Sequence, residues 1–232
     1  MRIVVLTGAG ISAESGVPTF RDSDGLWEGH RVEDVATPEG YEAAPVHVQR
    51  FYDARRSALF AVEPNPAHLA LARLEEALGD DLFLVTQNID DLHERGGSTR
   101  VHHMHGELLS ALCRGCGQRT TWTGDLADFP PCPHCGVTEL RPDVVWFGEI
   151  PYGMDQIQSE LKRADLFVSI GTSGAVYPAA GFVQHAAVHG ARTLELNLAP
   201  SEGTSFFHES RQGRAGDLVP AWVDDLLAGR MA

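Results

Sequence analysis

The sequence predicts an α/β fold: a doubly wound parallel sheet with a small zinc-binding lobe set into it. Three observations carry that prediction. Short strand-like runs at 3–7, 82–85, 165–170 and 193–197 each close on glycine or small polar residues and alternate with helical stretches. The first of them opens directly into Gly8-Ala9-Gly10. All four cysteines fall in two close pairs between positions 113 and 135.

Ile3-Val4-Val5-Leu6 has three β-branched residues in four and suits a buried parallel strand. Gly8 and Gly10 lack a Cβ, so the chain can turn sharply there and approach a ligand closely. A helix after them would aim its free N–H groups and dipole at a phosphate. Gly8-x-Gly10-x-x-Ala13 fits the Gly/Ala form of the dinucleotide fingerprint, a pattern that ordinary strand-to-helix turns share. A dehydrogenase would continue with a strand and an acidic residue about twenty positions on. Here the stretch from Gly16 to Trp27 is instead a polar, aromatic loop punctuated by glycine and proline. Such a loop suits a dinucleotide that is not used for hydride transfer.

Residues 30–65 read as helical, with Pro45 at a helix start and Val46, Phe51, Tyr52, Leu59 and Phe60 forming a partly periodic apolar face. Tyr52 and Arg55 stand three apart and share a face. They suit either the grip of a carboxylate or a solvated basic turn, and spacing alone favours the turn. Pro66 to Leu78 is a second helix, ending near Gly79. The strand at 82–85 then delivers Gln87, Asn88, Ile89 and Asp90 to its carboxyl end, where open α/β sheets bind ligands. A helix cap made by Asn88 or Asp90 is the structural alternative.

Three histidines follow in Val101-His102-His103-Met104-His105. Alternation along a strand puts His103 and His105 on one side and His102 on the other, so they do not form a metal set. His105, beside Gly106, suits a general base or a structural imidazole equally. Cys113-x-x-Cys116 and Cys132-x-x-Cys135 have the spacing of a closed, structural zinc site. Val144 to Phe147 is apolar and extended, fit to pair with a peptide or to lie in the core. The strand at 165–170 ends in Gly171-Thr172-Ser173, the one at 193–197 in Asn197, and Val219 to Leu227 is the last helix.

With 232 residues, 43% of them hydrophobic, the chain can bury one full core. A net charge of −14 opposes polyanions such as nucleic acid and leaves room for a cationic partner. No apolar run approaches the ~20 residues of a membrane helix, and the apolar start is too short for a secretion signal. The expectation is a soluble, cytoplasmic protein with no nucleic-acid or membrane partner.

Taken in order, Gly8-Ala9-Gly10-Ile11-Ser12, Gly16-Val17-Pro18-Thr19-Phe20-Arg21, Gln87-Asn88-Ile89-Asp90, His105-Gly106-Glu107, the cysteine pairs, Phe147-Gly148-Glu149, Gly171-Thr172-Ser173 and the Asn197 turn resemble the motif series of sirtuins, from about Ile3 to Leu227. The resemblance implies one catalytic domain over 1–232, with a Rossmann-like core, a helical insert at about 30–65 and a zinc lobe at about 109–149. It implies NAD as co-substrate, one structural Zn2+ on Cys113, Cys116, Cys132 and Cys135, and acylated lysines of proteins as substrate. Gly8, Ala9, Gly10, Ser12, Ala13, Phe20, Arg21, Trp27, Gln87, Asn88, Ile89, Asp90, Gly171, Thr172, Ser173, Asn197, Leu198 and Ala215 would line the NAD site. His105 would be the catalytic base, assisted by Asn88 and Gln87, and Val145, Phe147 and Gly148 would pair with the substrate backbone.

Thr19 stands where many sirtuin deacetylases carry aspartate, and the surrounding motif is similar to the bacterial, class III branch. That branch accepts acidic acyl groups through a Tyr-x-x-Arg pair and a small alanine, positions that Tyr52, Arg55 and Ala36 occupy here. The implied reaction moves an acetyl, succinyl or malonyl group from lysine to ADP-ribose and releases nicotinamide. Protein mono-ADP-ribosyl transfer is the alternative, and a non-catalytic sensor of NAD or ADP-ribose a third possibility.

Overall fold

The computed structural model describes residues 1–18, 26–27 and 29–230. The chain runs β1 (Ile3–Thr7), β2 (Leu26–Trp27), β3 (His30–Arg31), α1 (Val32–Val35), α2 (Pro38–Ala43), α3 (Pro45–Leu59), α4 (Pro66–Leu78), β4 (Leu82–Thr86), α5 (Leu92–Arg95) and β5 (Val101–His103). It continues through β6 (Gly106–Cys113), β7 (Arg119–Thr121), β8 (Leu140–Val144), α6 (Met154–Arg163), β9 (Leu166–Ile170), α7 (Phe182–Val188), β10 (Arg192–Asn197), β11 (Glu209–Gln212) and α8 (Ala215–Leu227).

Six strands form one parallel sheet in the order β11-β10-β9-β1-β4-β5. Every residue of β1 and β9 is buried, as a strand covered on both faces requires. On one face, Ala67, Leu71 and Leu74 of α4 pack with Trp222 and Val223 of α8. On the other, Ile157 and Leu161 of α6 pack with Phe182, Val183 and Ala186 of α7. The doubly wound expectation therefore holds, with two strands added at the edges. β5 has only three residues and β11 reads Glu-Ser-Arg-Gln, so neither shows the apolar run that marks a central strand.

The helix expected after Gly8-x-Gly10 is absent. In its place stand two single 3-10 turns, Ala9–Ile11 and Ala13–Ser15, the second closed by Gly16 at φ 93°. The physical reason is that Gly8 N–H donates to Ile170 O (3.0 Å) and Gly10 N–H to Gly171 O (2.8 Å). The turn is stitched to the end of β9 rather than wound into a helix with open N–H groups.

Helices α1 to α3 fall within residues 30–65, and each of α2, α3 and α4 starts on proline, whose missing N–H costs nothing there. Thr37 caps α2 by accepting from Gly40 N (3.0 Å). The buried face of α3 is Val48, Phe51, Tyr52 and Leu59, packed on Leu108 and Trp146. Val46 and Phe60, expected on that face, point to solvent instead. The zinc lobe is the antiparallel sheet β7-β6-β8. It is locked to α3 by Arg56, 1% exposed, which pairs with Asp53 (2.7 Å) and donates to Leu108 O (2.9 Å). Asp53 in turn accepts from the amides of Leu126 and Ala127. The last helix begins at Ala215, four residues before the expected Val219. No described helix is long and apolar enough to cross a membrane.

Candidate active site

The carboxyl ends of β1, β4 and β9 open on one cavity of about 270 Å³, while a neighbouring void of about 20 Å³ has room for little more than a water. Gly8, Ala9 and Gly10 line it from β1, Gln87, Asn88, Ile89 and Asp90 from β4, and Gly171, Thr172 and Ser173 from β9. The glycines serve backbone approach. A Cβ on Gly10 would lie 2.7 Å from Gly171 Cα, and one on Gly8 2.9 Å from Gly171 O, so two strand-end turns meet there with no space for a side chain. Because the Gly8 and Gly10 amides are already used, the Ala9 amide is the one in this turn with no backbone acceptor among the described residues.

Behind that wall lies a buried polar network. Asn88 Nδ2 donates to Ser12 Oγ (3.1 Å), which donates to Asp90 Oδ2 (3.0 Å). Asp90 also accepts from Leu92 N (3.2 Å), the first residue of α5, whose N-cap position is Asp91 and not the expected Asn88 or Asp90. Burial raises the Asp90 pKa, and the bonds from Leu92 and Ser12 oppose that rise. Two histidines that sequence reasoning passed over complete the network. His68 Nε2 meets Ser12 Oγ (3.4 Å), His93 Nε2 meets Thr7 Oγ1 (2.9 Å), and the rings stand 5.0 Å apart. Burial holds His68 down to about 4 and His93 well below its usual value, so both are neutral. The available signal for His68 was the capping pattern after Asn65-Pro66, where its ring accepts from Asn65 N (3.2 Å).

The three histidines of 102–105 part as alternation requires. His102 bonds Tyr152 O (3.0 Å), His103 bonds Asn88 O (3.1 Å) and Glu94 (2.8 Å), and His105 bonds Gln87 O (3.1 Å). A carbonyl only accepts, so His105 Nδ1 carries the proton and Nε2 keeps a free lone pair. Burial lowers the His105 pKa, with the Gln87 carbonyl pulling the other way, so the ring is neutral at pH 7. A neutral imidazole lining a cavity is a proton acceptor.

The opposite wall is the strap Val145 to Gly148 with Trp27, Ala36 and Tyr52. Val145 N donates to His105 O (2.8 Å) and Phe147 N to Ala36 O (2.9 Å), so these two amides are not offered to a peptide. Arg55, expected beside Tyr52, does not itself line the cavity: its Nη1 donates to Phe51 O (2.8 Å), and its guanidinium lies 3.2 Å from the Phe51 ring centre and 4.8 Å from that of Trp27, which does. Trp146 also lines the cavity and was not singled out from the sequence, where it is one apolar residue in the run 144–147.

Other expected residues lie outside the cavity. Ser12 is buried behind it, Ala13 is exposed, Asn197 is turned onto Thr172 O (2.7 Å), Leu198 is exposed and Ala215 starts α8. Phe20 and Arg21 lie outside the described residues. The four cysteine sulfurs all lie within 4.8 Å of one another, with pairs at 3.6 and 3.9 Å. That is too long for a disulfide and close to the ~3.8 Å edge of a tetrahedron with ~2.3 Å Zn–S bonds. The four cysteines thus fit one zinc ion with every position filled.

The Sir2 family model matches residues 8–178. The NAD-dependent protein deacylase of Escherichia coli strain K12 is 58% identical over 234 residues, covering 100% of this chain and 84% of its own. Among solved structures, a Sir2 homologue in complex with NAD superposes with a TM-score of 0.89 at 39% identity, over 98% of this chain and 90% of that one. A Sir2 bound to acetylated peptide superposes with a TM-score of 0.82 at 27% identity, over 100% and 94% of the two chains.

Proposed function

Because the chain belongs to the Sir2 family, we propose that it is an NAD-dependent protein deacylase working in the cavity at the carboxyl edge of its parallel sheet. The observation that carries this reading is a neutral His105 with Nε2 unprotonated, in the same cavity as the Gly8–Gly10 turn and the Gln87–Asp90 segment. NAD, when bound, supplies an electrophilic ribose carbon and a nicotinamide leaving group. The protein's own part is to bind, orient and move a proton. Gly8, Ala9, Gly10, Gly171, Thr172 and Ser173 form the wall on which the dinucleotide lies, with Ser12, Asn197, Leu198 and Ala215 supporting it. His105 Nε2 takes a proton from a ribose hydroxyl, and Gln87 O holds the ring in the tautomer that can do so. Asn88 and Asp90, fixed through Ser12, present an amide and a carboxyl group of defined orientation to the sugar. Trp27, Ile89 and Trp146 keep water out.

The substrate lysine enters along Val145, Phe147 and Gly148, which line the cavity on the side facing the sheet. Its acyl chain ends beside Ala36, Tyr52 and Arg55. Ala36 leaves room, and a phenol with a guanidinium suits a terminal carboxylate, so succinyl and malonyl chains are accepted as well as acetyl. The relatives' name favours acyl removal over mono-ADP-ribosyl transfer. Four cysteines placed to hold one zinc rather than to form disulfides suit a reducing compartment, which supports the cytoplasm as the place of action.

The test incubates the protein with NAD and acetyl-, succinyl- and malonyl-lysine peptides and follows free lysine and nicotinamide together. One nicotinamide per deacylated lysine is expected. Nicotinamide release with label from NAD left on protein and no deacylation would overturn the reading. Arg55→Met is expected to cost the succinyl reaction about ten- to a hundredfold more than the acetyl reaction, the value of a charge-assisted bond.

A further inference from the structure

Tyr52 is fully buried, at 0% exposure, yet it lines the cavity, and its hydroxyl has one fixed partner. Trp146 Nε1 donates to Tyr52 Oη over 3.0 Å. An indole N–H only donates, whereas a phenol has one proton to give and lone pairs that receive. The Trp146 bond therefore fills an acceptor position and leaves the phenol proton to be given. Among the described residues no hydrogen-bond acceptor for it is found. Burial pushes the Tyr52 pKa up, so that proton stays on the oxygen at neutral pH.

Trp146 is itself fixed from several directions. Its amide donates to Glu149 Oε2 (2.8 Å), and Arg141, paired with Glu149 at 2.9 Å, lies 4.0 Å over the indole. Tyr41 stands 5.1 Å away on a tilted ring plane. The neighbours Val145 and Phe147 are tied to His105 O and Ala36 O. The indole is thus rigid relative both to the imidazole and to the acyl pocket.

We propose that Trp146 is a positioning residue for acidic acyl chains: by donating to Tyr52 Oη it turns the phenol proton toward the terminal carboxylate of a bound succinyl or malonyl group. The inference rests on the acyl-pocket reading of Tyr52 and Arg55 given above. Without the indole N–H, the phenol can rotate its proton away, and the carboxylate meets a lone pair in part of the population. An acetyl group has no carboxylate and gains nothing from that orientation.

The test is steady-state kinetics on succinyl- and acetyl-lysine peptides for the wild type, Trp146→Phe, Tyr52→Phe and the double variant. Phenylalanine keeps an aromatic ring in the packing and deletes the N–H. The expected result for Trp146→Phe is a roughly three- to tenfold fall in the succinyl-to-acetyl ratio of kcat/KM, carried by the succinyl KM rather than kcat. In the Tyr52→Phe background the same change should leave the ratio where Tyr52→Phe put it. A ratio that Trp146→Phe leaves unmoved, or that it still lowers without the Tyr52 hydroxyl, overturns the proposal while the pocket reading stands. If Tyr52→Phe and Arg55→Met also leave the ratio unmoved, the pocket reading falls and takes the proposal with it. Independently of any variant's folding, 15N-indole spectra of the four tryptophans should show the Trp146 signal shifting further with succinyl- than with acetyl-lysine peptide. Equal shifts would overturn the role.

Discussion

The two walls of the cavity are made by different means. The sheet wall, from β1, β4 and β9, is backbone against backbone: Gly10 N–H on Gly171 O at 2.8 Å, with no room for a Cβ between the turns. The lobe wall, from α3, the strap 145–149 and the small antiparallel sheet, is side chain against side chain. Trp146 on Tyr52, Arg141 on Glu149 and Arg56 on Asp53 hold it together. A wall of main-chain contacts allows few substitutions and suits a ligand that does not vary. A wall of side-chain contacts can be altered one group at a time, which suits the part of the substrate that differs between acyl groups. On the function proposed above, the sheet wall would hold the constant cofactor and the lobe wall would choose the acyl group.

The strongest test of that division is His105→Ala, which removes the proposed proton acceptor between the walls. Turnover should fall about a hundred- to ten-thousandfold, as loss of a general base does. NAD binding, measured by calorimetry, should persist because the sheet wall is intact. Retention of more than a tenth of the turnover would break the assignment. Next in size is Arg56→Met, which strips one partner from a buried ion pair and should cost about 3–5 kcal/mol. Hydrogen exchange should then quicken in 108–127 and leave the amides of β1 and β9 protected. Equal loss in both places would mean that the walls unfold as one unit.

The same division explains what the sequence disclosed. The sheet wall is local in the chain, since each strand and its site residues are consecutive, and so the Gly8, Gln87 and Gly171 turns could be placed by inspection. Its hidden part was the fate of the amides: nothing in Gly8-x-Gly10 says that β9 will claim both. The lobe wall joins residues far apart, Tyr52 to Trp146 across 94 positions and Asp53 to Leu126 across 73. Spacing carries no trace of such pairs, which is why Tyr52 and Arg55 looked like a solvated turn until the whole motif series was taken together. The cysteine pairs are the exception, because the chemistry of zinc fixes their short spacing.

The smallest of these effects probes the sheet wall from behind, through pH. Asn65 N–H donates to His68 Nδ1, so the proton of His68 sits on Nε2, facing Ser12 Oγ. A second proton would have to enter a buried site at Nδ1 and displace the Asn65 bond, and burial accordingly holds the pKa at about 4. In the unfolded chain the same imidazole titrates near 6.5. Between those values the unfolded state binds a proton that the native state refuses, so stability is full above pH 6.5 and declines as pH falls toward 4. The contribution of His68 over that window is about 3 kcal/mol. Acid also protonates the zinc thiolates and several carboxylates, so the decline in the wild type alone is not diagnostic. His68→Asn isolates it: urea midpoints at pH 7.5, 5.5 and 4.5 should show the variant losing less stability with acid than the wild type, whatever its absolute value. Parallel declines would mean that the imidazole behind Ser12 is not the group that makes the sheet wall acid-sensitive.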